Sequence, residues 1–101
     1  LFSEEVFGPV LTVSQFKDEI DAISQANASE LGLASGVWTS NLGRAHRMVA
    51  SLHTGVVHVN TYGGADNTVP LGGYKQSGNG HDKSLHAIEK FINKKTAWIK
   101  L

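Results

Sequence analysis

The chain has 101 residues, 41% of them hydrophobic, which suffices for one small domain or part of one and gives only a marginal core of its own. Lys plus Arg and Asp plus Glu balance at 9 each, so the formal net charge is zero and no basic stripe exists to neutralise the phosphates of a nucleic acid. No cysteine is present, which excludes a disulfide framework, thiolate metal ligation and cysteine catalysis by these residues alone. The longest apolar runs fall far short of the ~20 residues of a membrane span, and no basic flank precedes an apolar stretch near residue 1, so the reading is a soluble protein with no membrane partner, and a cytoplasmic location is expected. The chain starts at Leu1 and enters EEVFGPVLTV at once, which reads as a cut end.

In chain order, Val10–Phe16 (VLTVSQF) follows Gly8-Pro9 and is rich in β-branched and apolar residues, which predicts a strand. Asp18 and Glu19 then suit the positive end of a helix dipole, and Ile20, Ile23 and Ala26 make one buried stripe, with Asn27 and Gly32 marking the exit. Leu33–Thr39 is predicted as the next strand. Ser40 or Asn41 caps a second helix, with Leu42, Ala45, Val49 and Leu52 on one face and Gly55 as terminator, and Val56–Val59 is a third strand. Residues 60–80 hold most of the glycines and one proline and read as a loop; Tyr62, Val69, Leu71 and Tyr74 give it apolar anchors that a linker lacks, so it is expected to be functional. Asp82 opens a last helix with Leu85, Ile88 and Ile92 on one face. In Thr96–Leu101, Ala97, Ile99 and Leu101 alternate with Trp98 and Lys100 as in a half-buried strand.

This alternation of strands and helices predicts an α/β fold: part of a doubly wound, largely parallel sheet, with ligand contacts in the loops at one sheet edge and the rest of the sheet missing. Two tempting sites fail on spacing. GGYKQSGNG has no GK[ST] and no GxGxxG after a strand, so it is not a phosphate loop. The histidines at 46, 53, 58, 81 and 86 form no HExxH and no i, i+4 pair, so no metal is expected.

Three segments, EEVFGPV at Glu4–Val10, GVVHVNTY at Gly55–Tyr62 and PLGGYKQSG at Pro70–Gly78, resemble the aldehyde dehydrogenase superfamily in the order found in its C-terminal part. ANASELGLASGVWTSNLGRAHRM between them is similar as well, so the resemblance covers essentially the whole chain. Within the superfamily, SGNGHDKSLHAIEKF and Thr68-Val69 resemble bacterial enzymes that oxidise γ-glutamyl-γ-aminobutyraldehyde.

The resemblance implies oxidation of a small-molecule aldehyde to a carboxylic acid with NAD or NADP: a cysteine thiolate attacks the aldehyde, hydride leaves to the nicotinamide, and water activated by a general base hydrolyses the thioester. Both the cysteine and the base lie upstream in the family, so no catalytic residue is expected here beyond assistance to a proton relay from Asp82, which stands where relatives carry a glutamate; its rival role is the N-cap of the last helix. Glu5 is expected to accept hydrogen bonds from the nicotinamide-ribose hydroxyls, since two carboxylate oxygens suit two vicinal donors. Phe7 would lie beside the nicotinamide or simply pack. Glu4 is expected to be structural, and Asn60 to bond local backbone.

Thr61, Gly63, Gly64, Ala65 and Leu71 match positions that line the aldehyde tunnel. Most relatives have phenylalanine at Leu71 and often bulkier residues at Gly63 and Gly64, so a wider mouth is expected here, with Asp66 available to a cationic tail. The division implied is 1–93 as the C-terminal part of the catalytic domain, with the substrate and cofactor loop at 60–80, and 94–101 as a terminal strand that packs against another subunit of a homo-oligomer. The competing reading is a non-catalytic oligomerisation module of the same ancestry.

Overall fold

A computed structural model describes residues 3–64 and 66–101. The order of elements is α1 (Glu19–Asn27), β1 (Leu31–Gly32), β2 (Ala34–Val37), α2 (Leu42–Ser51), β3 (Val56–Val59), β4 (Leu71–Gly72), β5 (Tyr74–Lys75), β6 (His81–Asp82) and a 3-10 helix at Leu85–Phe91. The fold is mixed α/β. Its centre is one βαβ unit: β2 pairs in parallel with β3, Ala34 opposite Val56 through Val37 opposite Val59, and α2 makes the crossover. The other two pairs are short and antiparallel, β1 with β5 and β4 with β6, so among the described residues three two-stranded ladders stand where one larger sheet was expected.

Both α-helices begin where their capping chemistry places them. The Asp18 carboxylate accepts from the Asp21 N–H at 2.9 Å and the Asn41 amide oxygen accepts from the Arg44 N–H at 2.9 Å, which settles the second cap on Asn41 instead of Ser40. Helix α2 closes at its C-cap Leu52, already extended at ψ 127°, three residues before the expected terminator Gly55. The buried apolar side chains are Ala45, Met48 and Leu52. They recur at i, i+3, i+7, so the buried stripe is rotated from the expected one, with Met48 buried and Leu42 (73%) and Val49 (45%) exposed.

Other expectations fail for one physical reason, the lack of a partner surface. Helix α1 buries no residue, and Ile20 is 80% exposed. Val10–Phe16 and Thr96–Leu101 form no strand, because a strand exists only where a neighbour completes its ladder and none lies beside either segment. Trp98, Ile99 and Leu101 are fully or almost fully exposed, forgoing roughly 1.5–3 kcal/mol of transfer free energy apiece. The last helix differs in kind. It is a 3-10 helix capped by Ser84, whose hydroxyl accepts from the His86 N–H at 3.2 Å, so Asp82 is not its N-cap. With three residues per turn, side chains at i and i+3 eclipse, and Leu85, Ile88 and Phe91 form one exposed apolar ridge in which Phe91 stands where Ile92 was expected.

These unpartnered arms explain the shape. The radius of gyration is 18.0 Å, with extents of 68 × 32 × 25 Å, against about 13 Å for a self-contained domain of this size. No helix among the described residues is long and apolar enough to cross a membrane.

Candidate functional site

The expected loop at 60–80 is more ordered than its composition suggests, because β4 and β5 lie within it and β6 follows at once. Four glycines, two in this segment and two facing it, allow the close packing. A Cβ on Gly55 would lie 1.8 Å from the Gly72 carbonyl oxygen, one on Gly32 2.7 Å from that of His53, and Cβ atoms on Gly72 and Gly73 would meet His81 and Ser77 at 2.5 and 2.6 Å. Gly32, Gly72 and Gly73 are accordingly buried. Gly72 and Gly73 of the PLGGYKQSG motif thus serve close approach of chain to chain, whereas Gly78, with open space beside it, serves a left-handed turn at φ 106°.

Side chains then fasten this turn to the segment after α1. Lys75, held at φ 55°, donates from Nζ to the Asn27 carbonyl at 3.0 Å and the Ser29 carbonyl at 2.8 Å, placing a cation at the negative end of α1. The Gln76 amide donates to a Glu30 carboxylate oxygen at 2.9 Å, its N–H donates to the Glu30 carbonyl at 3.0 Å, and the Ser77 hydroxyl accepts from the Gly32 N–H at 2.9 Å. Asn27 works from the other side: its Oδ1 accepts from the His53 N–H and its Nδ2 donates to the Ser51 carbonyl, both at 2.8 Å, joining the ends of the two helices. None of these roles was visible in the sequence; a lysine among glycines gives no sign of a partner more than forty residues away.

Against this seam lies a groove of about 520 Å³ lined by Glu5 with Ala26, Ser29, Gly32, Gln76 and Ser77 among others. Among the described residues the Glu5 carboxylate takes part in no hydrogen bond and no ion pair, so both oxygens are open to donors from outside the chain. The arm that carries Glu5 is tied to α1 farther along: Ser14 Oγ donates to Gln25 Oε1 at 2.9 Å, Gln25 Nε2 donates to the Gln15 carbonyl at 3.0 Å, and the Lys17 N–H donates to Asp21 at 2.8 Å. Phe7 is outside the groove lining and 94% exposed, so it is not a core residue of this chain. Glu4 is exposed on the same arm.

The other candidates form a separate group. Thr61, Gly63 and Gly64 follow β3 on the exposed surface, Gly63 at φ +75° and both glycines with open space where a Cβ would stand. Ala65 lies outside the described residues. Leu71 is half-exposed in β4, opposite Asp82 of β6. Asn60 sets where this loop leaves the βαβ unit: its Oδ1 accepts from the Thr39 N–H at 2.8 Å and its Nδ2 donates to the Thr39 carbonyl at 2.9 Å, as expected of an amide at a strand end. Tyr62 stacks obliquely on His58, ring centres 5.6 Å apart.

Asp66 Oδ1 accepts from both the N–H and the hydroxyl of Thr68, at 2.8 and 2.6 Å, and these bonds, with the nearby Lys83, hold its carboxyl below the usual range. Asp82 pairs with Lys90, which likewise lowers its pKa and keeps it ionised. A larger groove of about 1380 Å³ runs between α1 and β2 with α2, lined by Phe16, Ala22, Trp38 and Met48 among others, and none of the candidate site residues lines it. Among the described residues no group of three metal-ligating side chains converges.

The family model described as "Aldehyde dehydrogenase family" matches residues 1–97. The chain is 58% identical over 101 residues to the NADP/NAD-dependent aldehyde dehydrogenase PuuC of Escherichia coli (strain K12), covering 100% of this chain and 20% of that protein. Among solved structures it is similar to the aldehyde dehydrogenase KauB of Pseudomonas aeruginosa, at 55% identity and a TM-score of 0.91 over 98% of this chain and 20% of the other. It is also similar to the indole-3-acetaldehyde dehydrogenase AldA of P. syringae in complex with NAD+, at 54% identity and a TM-score of 0.90 with the same coverage. The chain therefore spans about a fifth of the length of the relatives it matches. With 97 of its residues under the family model and the three motifs in register, the chain belongs to the aldehyde dehydrogenase family.

Proposed function

We propose that this chain acts as the C-terminal part of an NAD(P)-dependent aldehyde dehydrogenase that oxidises an aldehyde to its carboxylic acid through a cysteine thiohemiacetal, the nucleophile lying outside these 101 residues. The observation that carries the reading is the Glu5 carboxylate, unpaired among the described residues and lining a groove walled by Ser29, Gln76 and Ser77. Such a carboxylate fits a vicinal diol of a nicotinamide ribose, because each oxygen accepts one hydroxyl and no protein donor has to be displaced first. Bound there, the cofactor would supply a hydride acceptor. Glu5 orients its ribose, and the exposed ring of Phe7 offers an apolar face to the nicotinamide.

Thr61, Gly63, Gly64, Ala65 and Leu71 line the path of the aldehyde in this proposal, and the open space at Gly63 and Gly64 admits a longer, polar substrate such as a γ-glutamylated aminoaldehyde. Asp66 keeps its Oδ2 free of the Thr68 bonds and so can receive a cationic tail. Asp82, ionised beside Lys90, assists proton removal from the general base. Residues 1–93 belong to the catalytic domain, the loop at 60–80 carries substrate and cofactor contacts, and the missing chain completes the doubly wound sheet. Residues 94–101 supply the strand that joins subunits of a homo-oligomer, with Trp98, Ile99 and Leu101 as its contact face. The whole enzyme works in the cytoplasm.

The test is steady-state kinetics on the full-length protein, following NADH or NADPH formation with an aliphatic aminoaldehyde. Glu5→Gln is expected to lower kcat about tenfold or more while the cofactor KM changes little, since the adenine half of the cofactor is held elsewhere. An unchanged kcat with a raised cofactor KM would contradict the orienting role. The 101-residue chain alone is expected to form no NADH.

A further inference from the structure

The seam between the 72–78 turn and the end of α1 forms one wall of the groove that Glu5 lines, with Gln76 and Ser77 on one side of it and Ser29 and Gly32 on the other. Backbone pairing alone holds this wall weakly, because β1 and β5 are two residues each. Beside the Gln76 and Ser77 bonds, Lys75 is the side chain that fastens it by two bonds at once. Its ammonium spans the carbonyl of Asn27, the last residue of α1 and without a helical donor, and that of Ser29 just beyond the C-cap. Its own backbone sits at φ 55°, a left-handed conformation that non-glycine residues adopt only where surrounding contacts hold them. The same helix holds the arm bearing Glu5 through Asp21 and Gln25, so α1 is the common support of the arm and of the wall.

We propose that Lys75 is a positioning residue for the cofactor-ribose groove: by clamping the 72–78 turn to the C-terminal carbonyls of α1 it fixes Gln76 and Ser77 relative to Glu5, and acts on turnover through that geometry without touching the reacting atoms. The proposal rests on the dehydrogenase reading for its kinetic arm only. Lys75→Met removes the donors and keeps the chain length, whereas Lys75→Arg keeps a cation that reaches the same carbonyls.

In the full-length enzyme, Lys75→Met is expected to lower kcat about tenfold and Lys75→Arg to restore most of it. Lys75→Met combined with Glu5→Gln should be little slower than Glu5→Gln alone, because both act on one element. A structural role alone would lower the thermal midpoint and leave kcat per folded site unchanged. That result, or effects of the two substitutions that multiply independently, would overturn the proposal. Amide exchange provides the arm that does not need activity: Lys75→Met should speed exchange of the Gly32 and Gln76 amides about tenfold, while those of Val56 and Asn60, bonded to β2, stay as slow as before. If the wild-type protein oxidises no aldehyde, the functional reading fails and exchange alone decides the clamp, with unchanged rates at Gly32 and Gln76 refuting it.

Discussion

The middle of the chain and its two ends are equally apolar in sequence and behave in opposite ways. From Asn27 to Asn60, and again from Leu71 to Ser77, the chain closes on itself through a parallel ladder, four close glycines, two side-chain bridges and the small core of Ala45, Met48 and Leu52. The arm at 3–16 and the tail at 92–101 carry Phe7, Leu11, Val13, Trp98, Ile99 and Leu101 in the open. Hydrophobic content therefore does not separate the two. What separates them is whether polar backbone finds a partner within the chain.

The comparison breaks most severely at Gly55. Adding a methyl group there places Cβ 1.8 Å from a backbone carbonyl that cannot move without dismantling β4, so Gly55→Ala is expected to cost about 3–5 kcal/mol or to abolish folding, read as thermal unfolding of the full-length protein. Gly8→Ala, with no atom within 4 Å in this chain, serves as the control in the arm. A small effect at Gly55 would mean that the close glycines do not hold the middle together.

Next in size is Asn27→Ala, which strips partners from the His53 N–H and the Ser51 carbonyl at once; about 1–3 kcal/mol of stability should disappear, measured by chemical denaturation. Gln25→Ala, which unties only the arm, should cost less than Asn27→Ala and leave the unfolding midpoint nearly unchanged.

These effects mark what was legible in the sequence. Helix starts were legible because Asp18 and Asn41 cap by a local bond three residues along, and Val56–Val59 was legible because its largely apolar run is a half-buried parallel strand. The strands expected at Val10–Phe16 and Thr96–Leu101 have the right side chains and no partner in this chain, so pattern alone overstated them. The last helix was placed correctly and its period was not: Ser84, at φ 55°, caps a tighter turn than the spacing of Leu85, Ile88 and Ile92 suggested. Of the candidate site, Glu5 is proposed from its motif and lines the groove, whereas Lys75, Gln76 and Ser77 act through contacts some 46 residues apart in sequence, and no local signal encodes those.

The smallest expected effect is electrostatic and also belongs to the middle. Glu19 receives Arg47 at 2.6 Å and Arg44 at 3.3 Å, joining the start of α1 to α2, and the Arg47 hydrogen bond above all lowers its pKa from 4.5 to about 2. A carboxyl whose pKa is lower folded than unfolded contributes stability that is complete above about pH 4.5 and is lost as the pH falls towards 2. Because the pair is exposed, the contribution is small and screened by salt. Glu19→Gln should flatten the acid limb of a stability profile measured at low ionic strength, and an unchanged limb would show that the pair is decorative.

Amide hydrogen exchange on the full-length protein, set beside the 101-residue chain, addresses directly the claim that the middle closes on itself while the ends close on the rest of an aldehyde dehydrogenase. The amides of Val56, His58 and Asn60, which point at β2, should be protected in both. Those of Val10–Phe16 and Thr96–Leu101 should be protected only in the full-length protein, which on the proposed reading supplies their neighbouring strands and subunits. Ends that exchange freely in the full-length protein, or that are as protected in a monomeric 101-residue chain as in the whole, would contradict the account.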